Sequence, residues 1–431
     1  MFCNQCEQCG PVCTTSGPGI CGKNPDIQAL QETLLYGLKG MAAYACHARR
    51  LGAHSDEVSA FIEEALFATM TNVNFDLKST LALCLKCGEM NLKVMELLDG
   101  AHVKTFGQPA ITQLVEGTRA GPGILVTGHD LLDLQDLLKA CEGTPVKVYT
   151  HGEMMPAHMY PKLRNHPNLA GHYGDAWQKQ RWEFDAFPGP ILATTNCITI
   201  PKESYKDRLF GARVVSAPEG AVICDGDYRQ LVELAQKLPP CKEAVVKTST
   251  IGFHHSVIGQ HLPAIVDGVK AGKISHFFLI GGCDGAEPGR NYFSDYAKAA
   301  PADSFILTLG CGKYRIRGHD YGTHLGFPRL MDMGQCNDAY GAIKVAAALA
   351  SEFKCSVNDL PLTLVISWFE QKAVAVFLTL LHLGVKNIAV GPNPPAFFTP
   401  GVLDFLVKNY GISVAAGDAK TDIAKVLKKS A

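Results

Sequence analysis

Seven residues able to ligate a metal stand just beyond stretches that read as β-strands. GILVTG is followed by His129, VKVYTH by Glu153, PILATTN by Cys197, HFFLIGG by Cys283, SFILTLG by Cys311, PRLMDMGQ by Cys336 and LTLVISWF by Glu370. In open α/β sheets, ligands bind in the crevice beyond the carboxyl ends of the strands. A shared site explains the recurrence better than packing does. Four thiolates suit iron–sulfur bonding, whereas two carboxylates and an imidazole are harder donors, suited to iron carrying oxo or hydroxo bridges. The set reads as a cluster with unequal irons, of which those held by oxygen or nitrogen can take a small substrate. Lys372, two residues after Glu370, is placed to deliver a proton during a reduction or to orient Glu370 through an ion pair.

A second set opens the chain. MFCNQCEQCGPVCTTSGPGICGK holds Cys3, Cys6, Cys9, Cys13 and Cys21, one more thiol than a four-ligand site takes. With no hard donor among them, this loop reads as a station for electrons. Cys46, Cys141, Cys224, Cys241 and Cys355 read as small buried hydrophobes. Cys84 and Cys87 have redox-style CxxC spacing, but they lie in a helical pattern with no preceding strand and read the same way. His254, His255, His319 and His324 are capable donors in polar loops and read as structural. GGCDGAEPGR lacks the spacing of a dinucleotide or P-loop fingerprint; its glycines suit close approach of backbone to a cluster.

The elements that must position these groups follow from periodicity. From Asn24 to about Leu98 apolar residues recur at spacings of three and four, with Pro25 suited to a first helical turn and Ser55–Asp56 to a cap, which predicts a three-helix bundle. His47 and His54 within it read as surface or capped histidines. After Pro109, short apolar runs alternate with helical stretches, the pattern of parallel α/β structure. Besides the strands above, ARVVSA and NIAVGP are expected to be strands. The expected divisions are 1–23 for the cysteine loop, 24–110 for the bundle, and 111–250 and 251–431 for two doubly wound α/β domains. The 40 Lys and Arg against 41 Asp and Glu leave no electrostatic footprint for nucleic acid or an anionic membrane. No apolar run reaches a spanning helix and the start lacks a signal-peptide pattern, so a cytoplasmic location is expected.

In this order, MFCNQCEQ with ICGK, TGHDLLDL, HGEMMPAHMYP, TTNCI, LIGGCDGAEPGRNYF, LGCGKYR, MGQCNDAYGAI and SWFEQKAV resemble the hybrid-cluster (prismane) protein family over nearly the whole chain. The resemblance implies a helical domain followed by two Rossmann-like α/β domains, with a hybrid iron–sulfur–oxygen cluster of 4Fe-2S-2O type between them. It carries ligand roles to His129, Glu153, Cys197, Cys283, Cys311, Cys336 and Glu370. Lys372 matches the family's lysine beside the cluster, and Cys283 the cysteine found as a persulfide. It implies an N-terminal 4Fe-4S cluster, expected on Cys3, Cys6, Cys13 and Cys21 with Cys9 as the alternative third ligand. Two departures stand out. The helical region is shorter than in typical members, as in a compact subgroup with one bundle, and the Cys13–Cys21 interval is longer.

The implied function is reduction of small nitrogen oxides, relevant to nitrosative stress. Hydroxylamine would give ammonia, and nitric oxide nitrous oxide, with Glu153, His129, Glu370 and Lys372 around the substrate. Alternatives are a carbon monoxide dehydrogenase-like redox enzyme and a non-catalytic redox sensor or protein nitrosylation factor. Without a flavin or nucleotide fingerprint, a separate ferredoxin-like or flavoprotein donor is implied. Kinship with dimeric nickel–iron carbon monoxide dehydrogenases suggests a homodimer that buries the N-terminal loop.

Overall fold

The structure, a computed structural model, describes all residues except 1–2, 11–12, 16, 219, 369 and 431. Part of the cysteine loop and Phe369, the end of the predicted LTLVISWF run, therefore lie outside the described residues. Three helices come first: α1 (Pro25–Arg50), α2 (Asp56–Ala68) and α3 (Leu77–Phe106). Each begins where its sequence satisfies an orphan backbone donor. Asn24 accepts from the Ile27 N–H, Ser55 from Val58 and Asp76 from Lys78.

A mixed α/β body with two mainly parallel sheets follows. The first contains β1 (Thr112–Thr118), β2 (Gly123–Thr127), β3 (Lys147–His151), β4 (Leu169–His172), β5 (Ile191–Ala193), β6 (Leu209–Ala212), β7 (Val222–Cys224) and β8 (Ala244–Ile251), in the order β7-β6-β5-β2-β3-β4-β1-β8. All pairs are parallel except β1 with β8. The second contains β9 (Phe277–Gly282) and β10 (Phe305–Thr308). After a small ribbon of β11 (Thr323–His324) and β12 (Phe327–Pro328), it continues with β13 (Leu330–Asp332), β14 (Leu362–Ser367), β15 (Ala389–Gly391) and β16 (Ser413–Val414). Its order is β13-β10-β9-β14-β15-β16. Strand order therefore reverses at β2 in the first sheet and between β9 and β14 in the second. These are the places where an open sheet leaves a crevice.

Three further helices matter for the site: α4 (Leu131–Ala140), α5 (Ala339–Phe353) and α6 (Gln371–His382). Helix α6 is wedged against both α1 and α3. A Cβ on Gly40 would lie 2.4 Å from the Gln371 carbonyl oxygen, and one on Gly88 2.1 Å from that of Leu378. Only glycine permits so close an approach. Leu34, Met41, Met90 and Leu98 of the helical segment form one apolar core with Leu279, Leu307, Leu364 and Leu378 of the second sheet and its helices. Among the described residues, no helix is long and apolar enough to cross a membrane.

Several local expectations are corrected. The strand expected at ARVVSA is Leu209–Ala212 instead; Arg213 has a left-handed φ of 60° and Val214 points into solvent. Cys46 is exposed, not buried, and Cys355 half-buried. His47 is not a surface residue. Its side chain is 12% exposed, with Nε2 3.8 Å from Asp130 Oδ2. Burial, followed by the charge of Lys372, pushes the imidazole down to about 3.

Candidate metal centre

The two strand-order reversals face each other, and the seven strand-end residues line a single cavity of about 200 Å³. His129 follows β2, Glu153 follows β3 in the 3-10 turn Gly152–Met159, and Cys197 follows β5. Cys283, Cys311, Cys336 and Glu370 follow β9, β10, β13 and β14. Donor atoms of His129, Glu153 and Cys336 lie within 4.8 Å of one another. Lys372 enters from the first turn of α6, only 2% exposed.

Each side chain is aimed by a neighbour. Thr195 Oγ1 lies 2.6 Å from His129 Nδ1, leaving Nε2 for a metal; such outer contacts fix ring orientation in metal sites. Burial first, then the Lys372 charge, holds His129 well below the usual histidine range, so the ring is neutral and fit to ligate. Glu153 Oε2 accepts the Cys336 N–H at 3.1 Å. Glu370 caps α6 by accepting the Lys372 N–H through Oε1, while Oε2 accepts from Asn196 Nδ2 at 2.9 Å. Asn196 also donates to Cys197 Sγ at 3.3 Å and accepts a short hydrogen bond from Lys372 Nζ. Gln335 spans the two sheets, donating to the backbone oxygens of Glu153 at 2.6 Å and His129 at 3.1 Å. Tyr44, from the helical segment, donates to Cys336 Sγ at 3.1 Å. Thr195, Asn196, Gln335 and Tyr44 went unnoticed in the sequence. Asn196 and Thr195 could have been found as polar neighbours of Cys197; Tyr44, 292 residues from its partner, left no signal.

The electrostatics of this donor set favour a bound metal cluster. Glu153 Oε1 is buried with no hydrogen-bond partner among the described residues. Burial raises the Glu153 carboxyl to about 7. Burial, with Glu153 and Glu370, raises Cys336 to about 12 despite the Lys372 charge; burial, with nearby carboxyls and thiols, holds Cys197, Cys283 and Cys311 well above the thiol range. Glu153 and the four thiols around one cavity are all held toward their protonated forms, with Lys372 as a nearby cation. A multivalent cation group reverses that tendency. At Lys372 burial opposes the charge, but Glu370, Cys336, Cys197 and Cys283 outweigh it and keep the ammonium protonated.

The N-terminal loop forms a second cavity of about 230 Å³, lined by Cys3, Cys6, Cys9, Cys13 and Cys21. Cys3 and Cys13 are buried and joined by a Cys3 N–H to Cys13 carbonyl bond of 2.9 Å. Backbone N–H groups of Ile20 and Gly10 bond to Cys13 and draw its thiol below the usual range, the environment of a thiolate ligand. Lys23 is 1% exposed, and Nζ donates to the side-chain oxygens of Gln5, Gln28 and Gln31 at 3.1, 3.2 and 2.7 Å, with Cys3 Sγ at 3.9 Å. Among the described residues no carboxylate pairs with this cation, and a buried lone charge is costly. An anionic thiolate-bound cluster beside it would supply the missing charge.

Lys23→Met is therefore expected to lower the reduction potential of a cluster held there. One unit charge at roughly 6–8 Å and an effective dielectric of about 20 is worth about 2–3 kcal/mol, on the order of 100 mV for one electron. A spectroscopic redox titration of the variant reads this shift, and an unchanged potential would remove the lysine from that role.

His254 and His255 are brought together, but by a carboxylate. Asp99 on α3 bridges them, Oδ1 2.8 Å from His254 Nε2 and Oδ2 3.1 Å from His255 Nε2. His254 Nδ1 accepts the Ser256 N–H, which places the ring proton on the Asp99 side. The trio ties α3 to the helix His255–Gln260. His324 bonds the Lys273 carbonyl. Cys84 and Cys87 are buried in the helical core.

Comparison with known proteins matches the model described as the Prismane/CO dehydrogenase family over residues 1–83 and 76–424. The chain is 58% identical to a hydroxylamine reductase of Moorella thermoacetica over 412 residues, covering 96% of each chain. It is 52% identical to a hydroxylamine reductase of Rhodospirillum rubrum, covering 94% of this chain and 74% of that one. The compact length is thus shared with the first and not the second. Among solved structures, carbon monoxide dehydrogenase IV from Carboxydothermus hydrogenoformans superposes with a TM-score of 0.80 at 16% identity, over 99% of this chain and 92% of that one. At that identity the likeness speaks for the fold alone.

Proposed function

This chain belongs to the Prismane/CO dehydrogenase family, and from that premise we propose that it is an iron–sulfur oxidoreductase that reduces hydroxylamine to ammonia. The carrying observation is the single cavity where four thiols, two carboxyls and a neutral imidazole converge beside a buried ammonium. In this reading His129, Glu153, Cys197, Cys283, Cys311, Cys336 and Glu370 hold a hybrid iron–sulfur–oxygen cluster. Cys3, Cys6, Cys13 and Cys21 hold a 4Fe-4S cluster, with Cys9 as the alternative third ligand; the N–H donors on Cys13 suit a thiolate. When bound, the inner cluster supplies electrons and Lewis acidity to the N–O bond.

The chain's own residues do the rest. NH2OH takes up two electrons and two protons to give NH3 and H2O. Lys372 Nζ, 3.4 Å from His129 Nδ1 and bonded to Asn196, holds a proton at the cavity wall. Glu153 Oε1 offers a second proton-handling position in the same cavity. Burial of both groups keeps bulk water from competing with a ligand of two heavy atoms. Nitric oxide, reduced by one electron per molecule to nitrous oxide, is the second substrate the same cavity admits.

Anaerobic iron and sulfide quantification, paramagnetic resonance of the reduced protein and turnover of hydroxylamine with a reduced viologen dye test this reading together. Two clusters with steady ammonia release support it. Stoichiometric nickel, or full iron without turnover, overturns it in favour of carbon monoxide chemistry or a sensor.

Electrons come from a separate ferredoxin-like or flavoprotein donor, and a second copy of the chain covers the N-terminal loop. Ile20, Phe67, Met70, Val73 and Phe75 are exposed apolar side chains near that loop, which Thr71 touches through Gln5. A contiguous exposed apolar patch marks an interaction surface. A dimer mass is expected by light scattering of the iron-loaded protein; a monomer mass rejects the second copy.

A further inference from the structure

Both sheets supply ligands to the cavity, but one hydrogen bond reaches a candidate cluster sulfur from outside them. Tyr44 lies in the second half of α1, 1% exposed, and its hydroxyl donates to Cys336 Sγ at 3.1 Å. The ring is fixed in the core shared by the helical segment and the second sheet. One turn earlier on the same helix, Gly40 lies against the backbone of Gln371 and Lys372. The hydroxyl is thus held in place by α1 and cannot swing to solvent. Cys336 is fixed from the other side as well, its N–H bonded to Glu153.

We infer that Tyr44 is a tuning residue: its O–H bond to Cys336 Sγ draws negative charge off that sulfur and raises the reduction potential of the cluster in the cavity. Hydrogen bonds to ligating sulfurs are among the levers that set iron–sulfur potentials, because each bond stabilises the more negative, reduced state. The phenol is suited to this as a permanent donor. Tyr44 touches no substrate position, so it acts through Cys336. The inference rests on the proposed cluster-binding role of Cys336.

Two substitutions of opposite sign test it. Tyr44→Phe keeps the packing and removes the donor. At a fixed ambient potential the reduced-to-oxidised ratio of the inner cluster is expected to fall on the order of tenfold, the size of one lost hydrogen bond to a charged acceptor. Site-specific 3-fluorotyrosine at position 44 keeps the hydroxyl and strengthens it as a donor, so the ratio is expected to rise. The N-terminal cluster, titrated in the same samples, is expected to stay put. Equal ratios in wild type and either substituted protein, with both clusters present by iron and sulfide content, overturn the tuning role alone. Absence of an inner cluster from the wild-type protein overturns the cluster reading and this inference with it. Should Tyr44→Phe fail to fold, the fluorotyrosine protein still decides between a tuning hydroxyl and a merely structural one.

Discussion

Glu153→Gln is expected to lower hydroxylamine turnover by about 10²–10³-fold while leaving the fold and the N-terminal cluster unchanged. Glutamine matches glutamate in shape, so an oxygen can still accept the Cys336 N–H now taken by Oε2. What disappears is the ionisable group whose Oε1, in the cavity, has no hydrogen-bond partner among the described residues. A positioned acid or base contributes typically about 10²–10⁴-fold, and loss of a hard ligand adds to that. Steady-state assays with a reduced viologen dye, alongside iron content and circular dichroism, measure the effect. Turnover within twofold of wild type at full iron content would show that Glu153 has no part in the reaction.

Lys372→Met is expected to have a comparable effect, about 10²-fold or more on kcat, for a different physical reason. Methionine fills nearly the same volume at the start of α6, but the ammonium that bonds Asn196 and approaches His129 Nδ1 at 3.4 Å is gone. Glu370, Cys197, Cys283 and Cys336 lose the nearby positive charge that balances them. Two roles can then be separated. If Lys372 delivers a proton, activity falls at full iron content and a small added amine restores part of it. If it only orients Glu370, iron at the inner site falls in step with activity and the amine does nothing. Undiminished kcat with full iron would exclude both.

The positions of the seven cavity residues were legible because a strand has a direction. Once GILVT or FFLIGG reads as a strand, the residue after its carboxyl end faces the crevice whatever the rest of the sheet does. Side chains that reach across the fold were not legible. Tyr44 on a helix meets Cys336 after β13 through tertiary packing, and Gln335 joins two loops from a third element. β1 and β8 were missed because their antiparallel pair sits at the sheet edge. β8 is exposed over most of its length and carries Lys247, so no burial pattern marks it. ARVVSA misled by its β-branched residues, which occupy a turn entered through the left-handed Arg213. His47 was assigned the wrong environment because α1 is packed on several sides, by α3, α6 and the loop after β2, and a one-face reading of a helix does not anticipate that; Cys46, one residue before it, takes the side left open to solvent.

The apolar core that unites the helical segment with the second sheet makes the chain an insertion architecture. Residues 25–106 and 253–431 build one host body, held by contacts such as Gly88 on Leu378 and Asp99 on His254 and His255. Residues 112–251 are a guest threaded between its two halves. The host contributes Tyr44, Cys283, Cys311, Cys336, Glu370 and Lys372, and the guest His129, Glu153 and Cys197. The candidate metal centre is therefore a seam, lined from both host and guest. A fragment beginning after Ile251 would lose the helical side of the core it shares with residues 29–98.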